Sequence, residues 1–266
     1  MAYRSLYKFI ERKKKFQVYK GTLDSVLDNI IEILSKTEKS RKDYTILAFQ
    51  VPRIVRALVD YKNDHPKDIN LLKLMRECFD LALRIYHDYE SPNLIRKISL
   101  FKKRISQKYK EVLKYKLQQH HDQINLIVSK PELSQKAAER LPDLIGKKRT
   151  LLIVIGHGAI GVGMDVFLRY QDLNKINNIQ FYVIRFSRTK YKKYGDKVPQ
   201  ITALEIKYLQ KLAKEREVIV YDENTYTGET LREVVRYLSK KVFSNKKIGI
   251  LYNMDTSKQK KFPEPR

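Results

Sequence analysis

Two adjacent carboxylates close an apolar run in Val218-Ile219-Val220-Tyr221-Asp222-Glu223, and the chain continues Asn224-Thr225-Tyr226-Thr227-Gly228-Glu229-Thr230-Leu231. Four apolar residues in a row read as a buried strand. Asp222 and Glu223 at its carboxyl end are acceptors suited to vicinal sugar hydroxyls, directly or through a metal. Thr227-Gly228-Glu229-Thr230 then opens a helix, whose first N–H groups are free and whose end carries partial positive charge. That is a setting for phosphate. Gly228 lets backbone approach an anion closely, and Thr227 and Thr230 add hydroxyl donors. A phosphate nest beside a diol-accepting pair is a site for a ribose 5-phosphate. The plain structural alternative is an acidic strand end followed by an N-cap threonine.

The segment resembles the signature of type I phosphoribosyltransferases: four apolar strand residues, two acidic residues, a short loop and Thr-Gly-x-Thr. The resemblance implies that Asp222 and Glu223 hold the ribose 2- and 3-hydroxyls and act as the catalytic pair. They would contact Mg²⁺ indirectly, through the sugar. It implies that Thr225, Tyr226, Thr227, Gly228, Glu229 and Thr230 surround the 5-phosphate. Tyr226 stands where some purine-salvage members carry an Asp, and a phenol is a poor base near neutrality. The expected acceptor is therefore a nitrogen nucleophile outside purine salvage.

A glycine loop follows an earlier apolar run: Ile153-Val154-Ile155-Gly156-His157-Gly158-Ala159-Ile160-Gly161-Val162-Gly163. By the same resemblance it is the pyrophosphate loop, with Gly156, His157, Gly158 and Ala159 facing the leaving group. A second reading stays open. Gly156-x-Gly158-x-x-Gly161 matches the dinucleotide fingerprint. The next strand ends near Arg185 and Arg188, which would suit the 2-phosphate of NADP and an oxidoreductase. A third reading is that these glycines only permit tight helix–strand packing. A basic, tyrosine-rich stretch, Arg185–Lys197, occupies the place of the family's mobile lid, with Arg188 and Lys190 as anion contacts. Composition alone fits a solvated loop or a nucleic-acid contact as well.

The elements that must position these residues alternate. Strands are expected at Thr150–Ile155, Ile179–Arg185, Val218–Tyr221 and Ile248–Tyr252. Helices are expected at Ile160–Arg169, Thr202–Lys214 and Glu229–Lys240. Such alternation implies a parallel sheet covered by helices, with ligands at the carboxyl ends of the strands. Residues 1–146 read differently. They hold only Gly21 and Gly146 of the nine glycines, and apolar residues recur at helical spacing after Thr22, after Pro66, from Ser91-Pro92 to about Val128, and from Pro131 to Gly146. Tyr44–Gln50 is ambiguous between strand and helix. The expected architecture is α/β: an all-α domain over 1–146 and a phosphoribosyltransferase-like parallel-sheet domain over 147–266.

The 266 residues carry 55 Lys and Arg against 30 Asp and Glu, a net charge of +25. Lys102, Lys103, Arg104, Lys108, Lys110, Lys114 and Lys116 crowd one stretch, and Arg12–Lys15 form another. Such charge favours nucleic acid or another polyanion as a partner. One cysteine, Cys78, excludes a disulfide framework and a cysteine zinc cluster. His120-His121-Asp122 does not form a shared ligand face on a helix, because adjacent residues point about 100° apart. Met1–Lys20 lacks an apolar signal core. Leu151–Leu168 is the most membrane-like run, but it holds four glycines, His157 and Asp165 and reads as strand, loop and helix. The expected setting is cytoplasmic, without a membrane and with oligomerisation open. A rival function on the same fold is a non-catalytic ribose-phosphate sensor or nucleic-acid-binding regulator.

Overall fold

The computed structural model describes residues 3–10, 21–116, 130–146, 148–156, 158–175, 178–186, 201–225, 228–244 and 246–255; the side chains of 224, 225, 254 and 255 are not described. The alternation in the second half yields one parallel sheet. Its strands are β1 (Thr150–Gly156), β2 (Ile179–Arg185), β3 (Glu217–Thr225) and β4 (Ile248–Asp255), in the order β2-β1-β3-β4. β1 is buried along its whole length, as a central strand covered on both faces must be.

The connecting helices are α7 (Ala159–Asn174), α8 (Ala203–Ala213) and α9 (Glu229–Lys241). From β1 the chain steps to β2 on one side, then returns past β1 to β3 and β4 on the other. Right-handed crossovers therefore put α7 on one face and α8 and α9 on the opposite face. Side chains of β2 record this. Phe181 meets Phe167 of α7, whereas its neighbour Tyr182 donates a 3.0 Å hydrogen bond to Glu205 of α8. The reversal leaves a topological switch point between β1 and β3.

The first half is helical. A 3₁₀ turn (Leu6–Phe9) precedes α1 (Leu23–Ser35), α2 (Arg41–Asp64), α3 (Asn70–Asp88), α4 (Asn93–Lys108), the short α5 (Lys110–Lys114) and α6 (Pro131–Ile145). Thr22 caps α1, and Gly146 ends α6 at a positive φ of 57°, where glycine carries no Cβ penalty. The ambiguous Tyr44–Gln50 stretch lies inside α2. A capping box between Ser40 and Asp43 starts that helix and overrides the weak helix preference of its aromatic and β-branched residues. The long helix expected after Pro92 breaks at Tyr109, and residues 117–129, with His120, His121 and Asp122, lie outside the described residues.

These helices join the sheet in one contiguous core that runs from Leu6 to Leu251. α2 and α3 cover the β2 edge and α7, while α6 lies on α7 and β4. Polar links tie the halves, among them the following. Tyr3 donates a 2.6 Å hydrogen bond to Asp165 of α7, which also pairs with Arg169 at 2.9 Å. Lys62 of α2 pairs with Glu205 of α8, both essentially inaccessible to solvent. Burial pulls the Lys62 amine down from its ordinary pKa, and Glu205 opposes this. A fully buried pair stabilises little net, but losing one partner strands the other charge. Among the described residues no helix is long and apolar enough to cross a membrane.

Lys62→Met is expected to lower the urea-unfolding free energy by about 3–5 kcal/mol. Lys62→Met/Glu205→Gln should recover a substantial part, because Gln still accepts from Tyr182. An equal loss in the single and double variants would show that the pair is not the source.

Candidate functional site

β3 is longer than its apolar run implies. The apolar strand was expected over Val218–Tyr221 with Asp222 and Glu223 at its carboxyl end, and the strand continues through both to Thr225. Beyond Tyr221, where pairing with β1 stops, β3 still pairs with β4: Asp222 lies opposite Tyr252, and Asn224 and Thr225 opposite Met254 and Asp255. The two strands therefore stand above the carboxyl end of β1. The acidic pair rises beside the glycine loop, at the switch point. This is the crevice where open α/β sheets bind ligands.

The two sequence segments meet there. A Cβ added to Gly158 would collide with Oε1 of Glu223, so glycine at 158 makes room for that carboxylate. Gly158 is also the N-cap of α7 and no side chain caps it. Glu223 thus stands at the amino end of α7, where helix polarity favours negative charge. The Glu223 N–H donates a 3.0 Å bond to Oδ1 of Asp222, and the two carboxyls are in hydrogen-bonding contact. Burial of the Asp222 carboxyl pushes its pKa well above the ordinary 3.8, and the charge of Glu223 pushes it further. Burial and the neighbouring charge thus both favour the protonated form of Asp222.

The remaining glycines of the loop serve packing. A Cβ at Gly161 would meet the Tyr7 hydroxyl, Pro52 of α2 at 2.8 Å and the Tyr86 hydroxyl of α3 at 2.9 Å. One at Gly163 would meet Val154 of β1 at 2.7 Å and Tyr221 of β3 at 3.2 Å. α7 is thus approached closely from both the helical layer and the sheet. A Cβ at Gly156 would lie 3.1 Å from the Ile184 carbonyl.

Of the other expected site residues, Ala159 is the buried first residue of α7. Thr225 ends β3. Gly228 adopts a left-handed φ of 65° as the N-cap of α9, again without a side-chain cap, and Glu229 and Thr230 form the first turn. The carbonyl of Gly228 accepts from Arg232 at 2.9 Å, which starts the helix. His157, Arg188, Lys190, Tyr226 and Thr227 lie outside the described residues, as do Arg12–Lys15.

Two features near the crevice were not singled out as part of a ribose-phosphate site. Arg185, opposite Gly156 in the strand register, pairs at 2.6 Å with Asp60 of α2, which lies 3.8 Å from Arg56. Tyr7 packs against Gly161 and feels the charges of Asp165 and Glu223, and burial raises its pKa. Both come from long-range packing. A charged residue at a helical core spacing, Asp60 within α2, was the one available signal. The basic stretch around α4 is partly neutralised: Lys102 pairs with Asp24 and Asp28, Arg104 with Glu77, and Lys114 with Glu111.

No protein-family model, curated protein or solved structure matches the chain.

The glycines give separable expectations. Gly161→Ala should cost about 1–2 kcal/mol in chemical denaturation, since overpacking outweighs the gain in helix propensity. Gly158→Ala meets only the movable end of Glu223 and should leave stability nearly unchanged. Equal losses would remove the distinction between a packing glycine and a site glycine.

Asp222 gives a pH signature. Its folded pKa lies above the unfolded value near 3.8. The folded state therefore keeps a proton that the unfolded chain has lost, and stability falls as pH rises from about 4 through the raised value. Asp222→Asn should raise the melting temperature at pH 8 and make no difference near pH 4. No gain at pH 8 would mean that the carboxyl is not desolvated.

Proposed function

We propose that the protein binds a phosphorylated ribose, phosphoribosyl pyrophosphate in the first instance, at the switch point between β1 and β3. The observation that carries this reading is the close approach of Glu223, paired with Asp222, to Gly158 across the crevice. It couples a diol-accepting pair to a glycine loop at the amino end of a helix. The finer fold assignment, a phosphoribosyltransferase-like domain preceded by a helical one, belongs to the same proposal. So does the family likeness.

In the transfer reaction a nitrogen acceptor attacks C1 of the ribose. The new N–C1 bond forms as the C1–O bond to pyrophosphate breaks, its electron pair leaves with pyrophosphate, and the acceptor's proton passes to solvent or a base. The ribose carries developing positive charge. Asp222 and Glu223, holding the 2- and 3-hydroxyls, place negative charge beneath it. Backbone N–H groups at the start of α7 face the leaving group, and those at the start of α9 the 5-phosphate.

Mg²⁺ fits these residues only indirectly. Among the described residues no group of three or more His, Cys, Asp or Glu side chains gathers as a cage, while two acidic acceptors suit a metal held mainly by ligand oxygens. When bound, it would neutralise charge on pyrophosphate. Asp222 and Glu223 would hold it indirectly, through the ribose hydroxyls.

A second reading has its own support. Glu223 occupies the mouth of α7 where pyrophosphate would sit, so a bound donor must displace a carboxylate. That suits a ribose-phosphate sensor as well as an enzyme. The NADP reading rests on the literal glycine spacing and on Arg185. The packing role of Gly161 accounts for part of that spacing without a dinucleotide.

Calorimetric titration with phosphoribosyl pyrophosphate and Mg²⁺ tests the reading. Saturable binding is expected, lost in Asp222→Asn/Thr227→Ala. Affinity should rise with pH, because a proton on Asp222 competes with the ribose hydroxyls. Pyrophosphate release with a nitrogen acceptor would identify an enzyme, and binding without release a sensor. A well-folded protein that does not bind sinks the assignment.

A further inference from the structure

A second concavity lies at the opposite, amino end of the sheet, between α3 and the outer edge of β2. Its volume is about 740 Å³, and it takes in residues that precede β1, β2 and β3. It is therefore separate from the acidic pair at the carboxyl end, and nothing in the ribose-phosphate reading uses it.

Its charged lining is distinctive. Arg76 and Arg84 come from α3, Arg149 from the entry to β1, and Arg216 from the entry to β3. All four cationic chains that are not histidine are arginine and none is lysine, although the chain has 37 Lys and 18 Arg. A solvated face drawn from that composition would be mostly lysine. Arginine offers a planar fork of donors that grips phosphate in a bidentate manner, which an ammonium does not. Asp80 and Asp88 also line the groove, so the four arginines outnumber the carboxylates. Asp80 lies one turn from both Arg76 and Arg84 on α3, and the charges of both act on its carboxyl. Arg149 lies 3.9 Å from the exposed Glu215, an arrangement that water weakens.

The spacing points to more than one phosphate. Arg76 and Arg84 are eight residues apart, about 12 Å along the helix, a separation that suits two successive phosphates. Arg149 and Arg216 enter from neighbouring strands, about 5 Å apart in the sheet. A polymer of phosphates also matches the net charge of +25. A concave site of this size has room for a short stretch of single strand.

We propose that the arginine groove between α3 and the amino end of the sheet binds the phosphodiester backbone of a single-stranded nucleic acid. Binding would be dominated by phosphate contacts and weakly dependent on sequence. The lysine-rich stretch of α4 then contributes long-range attraction and not the docking contacts.

The test is fluorescence anisotropy with a labelled oligouridylate of about 12 nucleotides, long enough for a single-strand site, at salt concentrations around 0.15 M. The protein carries Arg76→Gln/Arg84→Gln, or Lys103→Gln/Lys108→Gln as a control with the same charge change. All four positions are exposed, and melting temperatures verify that each variant folds. The arginine variant should bind roughly tenfold or more weakly and lose about 1–1.5 from the salt slope, two phosphate contacts' worth for a single strand. The lysine variant should change affinity by less than about threefold, and Asp222→Asn should bind as wild type does. The proposal is overturned if both charge variants weaken binding equally, if wild type does not bind, if polyglutamate competes as well as the oligonucleotide, or if uridine monophosphate binds as tightly as the strand.

Discussion

The packing of α7 is the constraint on which the rest of the molecule depends. This helix is squeezed between the sheet and the helical layer. Most of its length is buried, including Asp165. A helix in that position cannot present side chains of ordinary size everywhere, because both neighbours approach its backbone. Gly163 admits Val154 and Tyr221 from the sheet, and Gly161 admits Tyr7, Pro52 and Tyr86 from the other side. The same helix begins at Gly158, against the Glu223 carboxylate. Its axis is set by packing, so its amino end is aimed at the crevice by the core.

The acidic pair shows the opposite economy. Interiors are close-packed and apolar because that arrangement is stable, yet Asp222 is held where burial and a neighbouring carboxylate both oppose its ionisation. The surrounding fold makes this tolerable. β3 outruns β1 and keeps pairing with β4, so the backbone beneath the pair is satisfied even where the side chains conflict. A group kept in an unfavourable state by a rigid frame is a frequent mark of a functional site. Relief by a ligand that supplies hydroxyls or positive charge would convert the conflict into binding energy.

Polar links do a further job at the boundary between the helices and the sheet. Lys62 with Glu205, Arg185 with Asp60, and Tyr3 with Asp165 each join residues far apart in the chain. Apolar contact alone is indifferent to small sliding, whereas a buried ion pair or hydrogen bond has a narrow range of acceptable geometry. These links set the position of α2 and of the amino-terminal turn over α7. They bring Arg56 and Asp60 to Arg185 at the carboxyl end of β2, and Tyr7 to the first turns of α7. The two ends of the sheet are then chemically unlike. A carboxylate pair stands at one end and an arginine-lined groove at the other.

The sequence by itself determined much of the secondary structure and the order of the strands' helices. Apolar runs of strand length, alternating with capped amphipathic helices, are local signals, and Thr22, Pro131, Gly146, Thr202 and Gly228 sit at helix ends for reasons that neighbouring residues supply. Leu151–Leu168 looks membrane-like for the same local reason, since a central strand and a doubly covered helix are both apolar throughout. Only the tertiary structure decided that Tyr44–Gln50 is helical, that β3 extends through Thr225, and that Gly158 faces Glu223 while Gly161 faces Tyr7. Each of these depends on partners brought from elsewhere in the chain: the core around α2, the added length of β4, and the helical layer across α7. A spacing of glycines reveals where backbone can be approached closely. Which group makes the approach is set by packing between segments far apart in sequence, beyond the reach of any local pattern.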